Sequence, residues 1–260
     1  MIDTLTLLKE ASYAFLGGPL ARGNFREAKS SGYLPFYVNP DAVQIGFIMN
    51  NMQNPYGWDG NKLVTDGVDD YVQSDSGCFR LATDYTVYIN FTKANTATEY
   101  PLMLRRSNYN NRIEVKDDGT KIYISIVNDE HGSSATTETA SLGDTHLSII
   151  GEGDVHSYAI NDTPSVEIGT AQLVDIQYLI NLSGTPAHKS VSDGAIHSAA
   201  FFPRALTQEE VTHLHEQSTL GFPGLRADAY GPDNEFARIS RTRRRSFGLG
   251  SSVSVSVGVM

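Results

Sequence analysis

The sequence predicts an all-β fold, an antiparallel two-sheet jelly-roll sandwich with one short helix near its C-terminal end. From about Asn61 onward, short apolar segments alternate with turn-forming residues. In segments 86–91 and 121–126, successive residues are mostly β-branched or aromatic, which indicates strands enclosed between two stacked sheets. Many short strands with almost no helix are typical of such a sandwich.

Explicit turns separate the predicted strands. Asp117-Asp118-Gly119 and the stretch 151–154 both have the composition of hairpin turns. For 260 residues, one large β domain with extensions is favoured over two equal domains. The expected strands cover residues 62–65, 71–74, 85–92, 102–106, 112–116, 121–127, 136–141, 145–151, 155–160, 165–168, 176–181 and 194–202.

The segment that follows the last predicted strand has the pattern of a capped helix. Thr207 stands at the N-cap position and Glu210 three residues later, which is the spacing of a capping box. Leu206 and Val211 occupy the positions of a hydrophobic staple, and Gly221 provides a stop. We therefore expect a helix of roughly ten residues here.

Composition divides the chain into three parts. Near the N-terminus, apolar residues at helical spacing predict a helix from Asp3 or Thr4 through Phe15, and a strand is expected at 43–49. After Phe222-Pro223-Gly224 the chain becomes basic and then alternates serine with valine. The parts are an irregular N-terminal extension at 1–60, the sandwich at 61–222 and a basic C-terminal arm at 223–260.

Bulk composition excludes several classes of protein. The net charge of −10 argues against a main body that binds nucleic acid. Cys78 is the only cysteine, so no internal disulfide can form. Charged residues interrupt the apolar residues at the N-terminus, and no apolar run approaches the roughly 18 residues of a membrane span. We expect a soluble protein made in a cytoplasm, without a signal peptide or a membrane partner.

Three motifs carry a resemblance to a known family. The first is Asp66-Gly67-Val68-Asp69-Asp70-Tyr71-Val72, and the second is the hairpin at 145–162. The third is the apolar strand, Pro203-Arg204-Ala205-Leu206 turn and capped helix. In this order they resemble laminin-G-like domains of the concanavalin A-like lectin/glucanase superfamily, over about 61–217. The hairpin departs from the usual Trp-His pair, since Thr145-His146 stands there.

The resemblance implies a fold more than a function, because the superfamily includes lectins, glucanases and modules that only mediate contacts. Such domains also occur in bacteriophage virion proteins. We expect a non-enzymatic structural or adhesive component of a virus particle (a capsid decoration, collar, fibre or tail protein) that is attached through its terminal extensions. The alternative is a carbohydrate-binding module that recognises a cell-surface glycan.

The C-terminal arm is the expected attachment device. Its positive charge and terminal alternating strand fit docking on a neighbouring sheet edge, either in another virion protein or in a second copy. Contact with packaged nucleic acid through the arginines and a merely solvated tail are the other readings. The residues concerned are Arg238, Arg241, Arg243, Arg244, Arg245, Val253, Val255 and Val257.

Other candidate sites rest on composition alone. Glycosidases need two carboxylates in one cleft, and no Glu-x-Asp-x-x-Glu pattern occurs, so no enzyme and no resident cofactor are expected. A calcium ion is the one metal considered, because clustered aspartates supply hard oxygen ligands. The aspartates are Asp66, Asp69 and Asp70. Aromatic and amide side chains in loops suggest glycan contacts at Trp58, Asn108, Tyr109 and Asn110.

Overall fold

The structure is a computed structural model, and its described residues lie within one compact unit, Met1–Leu225. Among the described residues, neither helix has the length and apolar composition of a membrane-spanning segment. The described ranges are 2–16, 37–38, 47–50, 57–59, 62–64, 71–74, 79–81, 83–93, 96–106, 110–128, 133–139, 143–161, 163–173, 177–182, 194–220 and 222.

Two antiparallel sheets stack face to face. In the described part of the chain, sheet 1 contains β1 (Tyr13–Leu16), β2 (Tyr37–Val38), β4 (Gly57–Asp59), β5 (Lys62–Val64), β8 (Asp84–Lys93), β13 (Gly143–Glu152), β14 (Val155–Ile160), β15 (Val166–Thr170) and β17 (Gly194–Phe202). Sheet 2 contains β3 (Phe47–Asn50), β6 (Tyr71–Ser74), β7 (Phe79–Arg80), β9 (Glu99–Arg105), β10 (Arg112–Asp117), β11 (Lys121–Val127), β12 (Ser133–Thr139) and β16 (Gln177–Leu182).

The strand order explains why the central strands are apolar on both faces. Sheet 1 runs β15-β14-β13-β8-β17-β1-β2, with β5 also on β17 and β4 on β5. Sheet 2 runs β12-β11-β10-β9-β16-β6-β3, with β7 on β16. Central strand β8 is covered by the core on one side and by a helix on the other, so eight of its ten residues are fully buried.

Alternate residues of the strands form the core between the sheets. From β8, the inward residues are Tyr85, Val87, Ile89 and Phe91. Sheet 2 contributes inward residues of β9, β10 and β11 from the opposite side, including Leu102 and Leu104 of β9. Burial of apolar area at about 25 cal/mol per Å² is the main force that holds the two sheets together.

Two helices complete the fold, α1 (Thr4–Lys9) and α2 (Gln208–Thr219). The predicted capping box is confirmed, because the Thr207 hydroxyl accepts from the backbone N–H of Glu210 and the Glu210 carboxylate accepts from the N–H of Thr207. Both staple residues, Leu206 and Val211, are buried. Helix α2 lies on the outer face of sheet 1, and α1 reaches it through Thr4 Oγ1, 2.9 Å from His213 Nε2.

The all-β fold class is confirmed, and each of the twelve predicted strands corresponds to an observed one. Strands β9 and β12 begin three residues earlier than predicted. The prediction of a helix through Phe15 is wrong. Helix α1 ends at Lys9, and β1 follows, with Tyr13 opposite Phe201 of β17. Burial of Tyr13 in the inter-sheet core outweighs the local helical spacing.

Strands β1, β2 and β3 belong to the sheets, although the sequence assigned them to an extension. The boundaries at 60 and 222 stay predictions.

Candidate functional site

A shallow depression of about 250 Å³ lies where the start of α2 meets the β13–β14 hairpin and the start of β15. Its floor is apolar, from Ile150, Val155 and Leu206, and its rim is polar. The rim residues are Glu152, Ser157, Ser165, Thr207 and Gln208. An apolar floor with a few convergent polar groups is the usual composition of a small-ligand site.

The first turn of α2 fixes one wall of this depression. The Gln208 Oε1 atom accepts from the backbone N–H of Ser165 at 2.8 Å and from its hydroxyl at 2.7 Å. The Arg204 guanidinium donates to both carboxylate oxygens of Glu210, at 2.9 and 2.7 Å. Its hydrogen bonds and charge lower the pKa of Glu210 to about 2, so this carboxylate stays ionised. The helix start, and with it Gln208, is therefore held in place.

On the opposite side of the depression, two polar side chains have no hydrogen-bond partner among the described residues. Among the described residues, neither Ser157 nor the exposed Glu152 forms a side-chain hydrogen bond. None of the described lining residues carries a positive charge. Val155 is 43% exposed, so an apolar surface faces solvent beside these polar groups. The depression therefore offers hydrogen-bonding partners, an apolar contact and a negative charge.

Beneath α2, sheet 1 carries a buried polar layer, which we define as Tyr88, His146, Ser148, His215 and Thr219. Thr219 donates its hydroxyl proton to the His215 carbonyl at 3.1 Å, so it accepts from His146 Nε2 at 3.2 Å. His146 Nδ1 then accepts from the Tyr88 hydroxyl at 3.1 Å. The centroids of the His146 and His215 rings lie 5.5 Å apart. Both ring nitrogens of His146 thus have hydrogen-bond partners, which indicates a structural role for this histidine.

His215 has its tautomer fixed in the same way. Its Nδ1 atom donates to the Asn161 carbonyl at 2.6 Å, because a carbonyl can only accept. Its Nε2 atom is then free to accept from the Ser148 hydroxyl at 3.0 Å. His213, two residues earlier, points instead to α1. No group of three or more metal-ligating side chains occurs in the described ranges.

A second buried cluster lies between the sheets at the opposite end of the sandwich, and we call it the core-end cluster: Lys93, Glu99 and Asp117. Their exposed fractions are 2%, 0% and 1%. Lys93 Nζ lies 2.5 Å from Asp117 Oδ1. Burial raises the pKa of Glu99 to about 8, with Lys93 acting against that shift and Asp117 adding to it. Since no substrate reaches these buried carboxylates, they cannot act as a glycosidase pair.

The structure places some of the residues proposed for glycan contacts. Trp58 lies in β4, where it pairs with Leu63 of β5, and Leu63 in turn pairs with Ile196 of β17. Asn110 is exposed at the start of β10, at the other end of the sandwich. Asn108 and Tyr109 lie outside the described residues. The structure therefore does not bring Trp58 and Asn110 together.

Other sites predicted from sequence also fall outside the described ranges. These are the calcium candidates Asp66, Asp69 and Asp70 and the whole C-terminal arm. They stay predictions. The depression was not predicted from the sequence, although the two segments that border it, the turn at 151–154 and the capping box, were. Nothing in the spacing along the chain signals that these two segments, some 50 residues apart, are neighbours.

Comparisons with known proteins define the fold class. No protein-family model and no curated protein matches the sequence. The chain is similar to the botulinum neurotoxin serotype D binding domain, with a TM-score of 0.58, 9% identity, and coverage of 83% of this chain and 53% of that one. It is also similar to the serotype D ligand binding domain in complex with N-acetylneuraminic acid, with a TM-score of 0.59, 8% identity and coverage of 82% and 52%.

A third similar structure concerns botulinum neurotoxin type C, whose cell entry depends on interaction with two ganglioside molecules. Its TM-score is 0.56, with 10% identity and coverage of 83% of this chain and 53% of that one. The present chain thus spans about half the length of these structures. At such low identity the likeness shows a shared β-sandwich fold and nothing beyond it. The resemblance to laminin-G-like domains stays a prediction.

Proposed function

We propose that this chain is a non-catalytic, carbohydrate-binding β-sandwich domain, and that a sugar ring occupies the depression beside the start of α2. The observation that carries the proposal is the depression itself, an apolar floor ringed by hydroxyl, amide and carboxylate groups. The fold agrees with it, because similar solved structures are binding domains, and one of them is in complex with N-acetylneuraminic acid.

The size and polarity of the depression indicate the kind of sugar. Its volume of about 250 Å³ lies just below the roughly 300–1,000 Å³ of drug-sized sites, which suits a single ring at a glycan terminus. The C–H face of that ring would lie on Val155 and Ile150, and its hydroxyls would bond to Ser157 and Glu152. An acidic sugar is disfavoured, because Glu152 is negative and no described lining residue is positive.

A glycan array with the full chain tests the proposal. We expect binding to neutral glycans with a common terminal residue, and weaker or no binding to their sialylated forms. Glu152→Gln and Ser157→Ala should each lower affinity by about tenfold, the loss that corresponds to one hydrogen bond of about 1.4 kcal/mol.

Glu209→Gln is the matched control for this experiment. It removes an exposed carboxylate in the first turn of α2 that does not line the depression, so binding should stay unchanged. A folded wild-type chain that binds no glycan on the array would overturn the proposed function. If Glu152→Gln and Ser157→Ala both bind glycans as well as the wild type, the binding site lies outside the depression. Asn110 and its neighbours are then the next residues to substitute.

The expected role in a virus particle rests on the C-terminal arm, which lies outside the described residues, and it stays a prediction. A glycan-binding domain and an attachment arm are compatible in one chain. Co-purification of full-length protein with its partners, compared with a chain that ends at Gly224, would test the arm.

A further inference from the structure

The core-end cluster brings an amine, a carboxylate and a carboxylic acid into the inter-sheet core. Lys93 continues the inward series of β8, and Asp117 continues that of β10. From Val115 to Asp117 the chain advances two residues, while its partner β9 covers three, from Leu102 to Glu99. This bulge reverses the alternation of β9 and turns Glu99 inward, opposite Asp117. Three ionisable side chains from two sheets thus meet.

The contacts within the cluster are close but incomplete. Lys93 Nζ donates to Asp117 Oδ1 at 2.5 Å and to the Asp117 carbonyl at 3.1 Å. The backbone N–H of Gly119 donates to the same Oδ1 at 2.8 Å. Among the described residues, neither oxygen of Glu99 has a hydrogen-bond partner, and neither does Asp117 Oδ2. Such groups are rare in protein interiors, because each costs its full desolvation energy.

Gly194 leaves room for the Glu99 side chain in the cluster. A Cβ atom on Gly194, at the start of β17, would lie 2.5 Å from Glu99 Oε1, so a larger residue there would force the Glu99 carboxyl group to shift. The bulge and the glycine together hold an unpaired carboxyl group against an ion pair, an arrangement that costs stability. A purely structural role does not account for it.

We propose that Lys93 and Asp117 become joined by an intramolecular amide bond, formed by the folded protein itself with Glu99 as the proton shuttle. Oδ1 is bonded to Cγ, so Nζ lies at most about one carbon–oxygen bond length further from that carbon. This is near the approach distance of about 3–3.5 Å for reacting atoms. The class of modification is a condensation, and it needs no cofactor and no oxidant.

The atoms and charges balance as follows. In the dry core a proton passes from the Lys93 ammonium to the Asp117 carboxylate, which leaves an amine and a carboxylic acid. The Nζ lone pair attacks Cγ, and the carbonyl electron pair moves onto oxygen. Protonated Glu99 donates to the departing oxygen and regains a proton from Nζ. The Nζ–Cγ bond forms, one Cγ–O bond breaks, and one water leaves. Glu99 ends as it began.

Burial favours both the reaction and its product. Since burial raises the pKa of Glu99 to about 8, this group is a carboxylic acid at neutral pH and is able to donate. The product replaces two buried charges by one neutral amide, which removes their desolvation cost. Because β8 belongs to sheet 1 and β10 to sheet 2, the bond would fasten the two sheets covalently.

The mass of the intact, denatured, full-length protein tests the proposal directly. We expect it to lie below the sequence mass by one water. After trypsin, residues 81–105, uncleaved at Lys93, should be joined to residues 117–121 in one branched peptide. A folded wild-type protein with the full sequence mass and free peptides 81–93 and 117–121 would overturn the proposal without any variant.

Variants distinguish this bond from other losses of water. Lys93→Ala and Asp117→Ala should each restore the full mass. Asp118 precedes Gly119 and can itself cyclise with loss of one water, so Asp118→Ala is the control, and it should keep both the mass deficit and the branched peptide. A deficit that vanishes in Asp118→Ala would overturn the proposal. Glu99→Gln should slow bond formation at least tenfold, and an unchanged rate would overturn the shuttle.

Discussion

Two regions of this molecule bury polar side chains, and they do so in opposite ways. The buried polar layer beneath α2 is neutral, and its hydrogen bonds run from Thr219 through His146 to Tyr88 with every shared proton assigned. The core-end cluster is charged, and three of its carboxylate oxygens lack a hydrogen-bond partner among the described residues.

This difference indicates a structural role for the buried polar layer and a chemical role for the core-end cluster. A fully satisfied neutral network fixes the position of a helix at little cost. A charged cluster that leaves oxygens unpaired is expensive, so its retention points to a reaction rather than to stability alone. Both regions are buried, whereas the depression beside α2 offers polar groups to a ligand.

The sharpest way to break this comparison is to remove one charge from the core-end cluster. Lys93→Met leaves the Asp117 carboxylate buried without its cation, so we expect a loss of about 3–5 kcal/mol in the free energy of unfolding. The double variant Lys93→Met/Asp117→Leu also removes the unpaired charge, so it should recover the electrostatic part of that loss but not the part that comes from the missing amide bond. Urea denaturation of the three proteins measures both values. A double variant as unstable as the single one would contradict the electrostatic explanation.

The second prediction uses pH, because a buried carboxyl group with a raised pKa and a buried histidine with a lowered pKa change the free energy of unfolding in opposite directions as pH rises. Burial raises the pKa of Glu99 from 4.5 in the unfolded chain to about 8. Between these values the native state binds more protons, so Glu99 makes the stability fall as pH rises, by at most about 1.4 kcal/mol per pH unit. Glu99→Gln should remove this fall, as followed by urea midpoints between about pH 5 and pH 8.

His156 provides the comparison for that measurement. Its Nε2 atom donates to the Ala171 carbonyl at 2.6 Å, and its Nδ1 atom accepts from Tyr85 at 2.9 Å. Burial lowers the pKa of His156 from 6.5. The unfolded chain therefore binds more protons as pH drops through about 6.5, and stability falls in acid. His156→Gln should remove that fall. If Glu99→Gln and His156→Gln changed the pH dependence of stability in the same direction, this prediction would be wrong.

The third prediction concerns the buried polar layer. His215→Ala leaves the Ser148 hydroxyl and the Asn161 carbonyl without their partner, so we expect a loss of about 2–3 kcal/mol. His213→Ala is the matched control on the same helix. Its ring bonds to Thr4 at a half-buried site, so its loss should stay below about 1 kcal/mol. Equal losses, measured by urea denaturation, would mean that the layer does not position α2.

The smallest expected effect is at the helix cap. Thr207→Ala removes the acceptor for the Glu210 N–H and should cost about 1 kcal/mol. Glu216→Ala, at an exposed position of the same helix, should change stability by less than about 0.5 kcal/mol. Because Thr207 and Gln208 also line the depression, glycan affinity should fall in the first variant only. A cap variant with wild-type stability would exclude this contribution.

Much of the fold could be predicted from the sequence, because strands and turns have local signals. The run of β-branched and aromatic residues around Val87 and Ile89 predicted β8, and the turn at Gly119 predicted the β10–β11 hairpin. The capping box at Thr207 predicted α2 almost to the residue. The N-terminal segment could not be predicted in this way, since Tyr13 becomes a strand residue only through its pairing with Phe201.

The candidate site was less accessible to sequence reasoning than the fold. Trp58 is an aromatic residue of the kind that contacts glycans, but its place in sheet 1, away from Asn110, follows from the pairing of β4 with β5 and of β5 with β17. No sequence motif marks Glu152 and Ser157 as site residues, and only the tertiary structure places them beside the start of α2. The aspartates at 66–70 and the arm stay predictions, because they lie outside the described residues.

The sequence by itself determined most strands from residue 62 onward, the fold class and the capped helix, because backbone preferences, turn chemistry and side-chain periodicity act over a few residues. Only the tertiary structure decided which distant side chains meet. The bulge in β9 turns Glu99 inward beside Lys93 and Asp117, and the packing of α2 on sheet 1 creates the depression. Both depend on strand register and helix docking, which are set by burial across the whole core rather than by any local pattern.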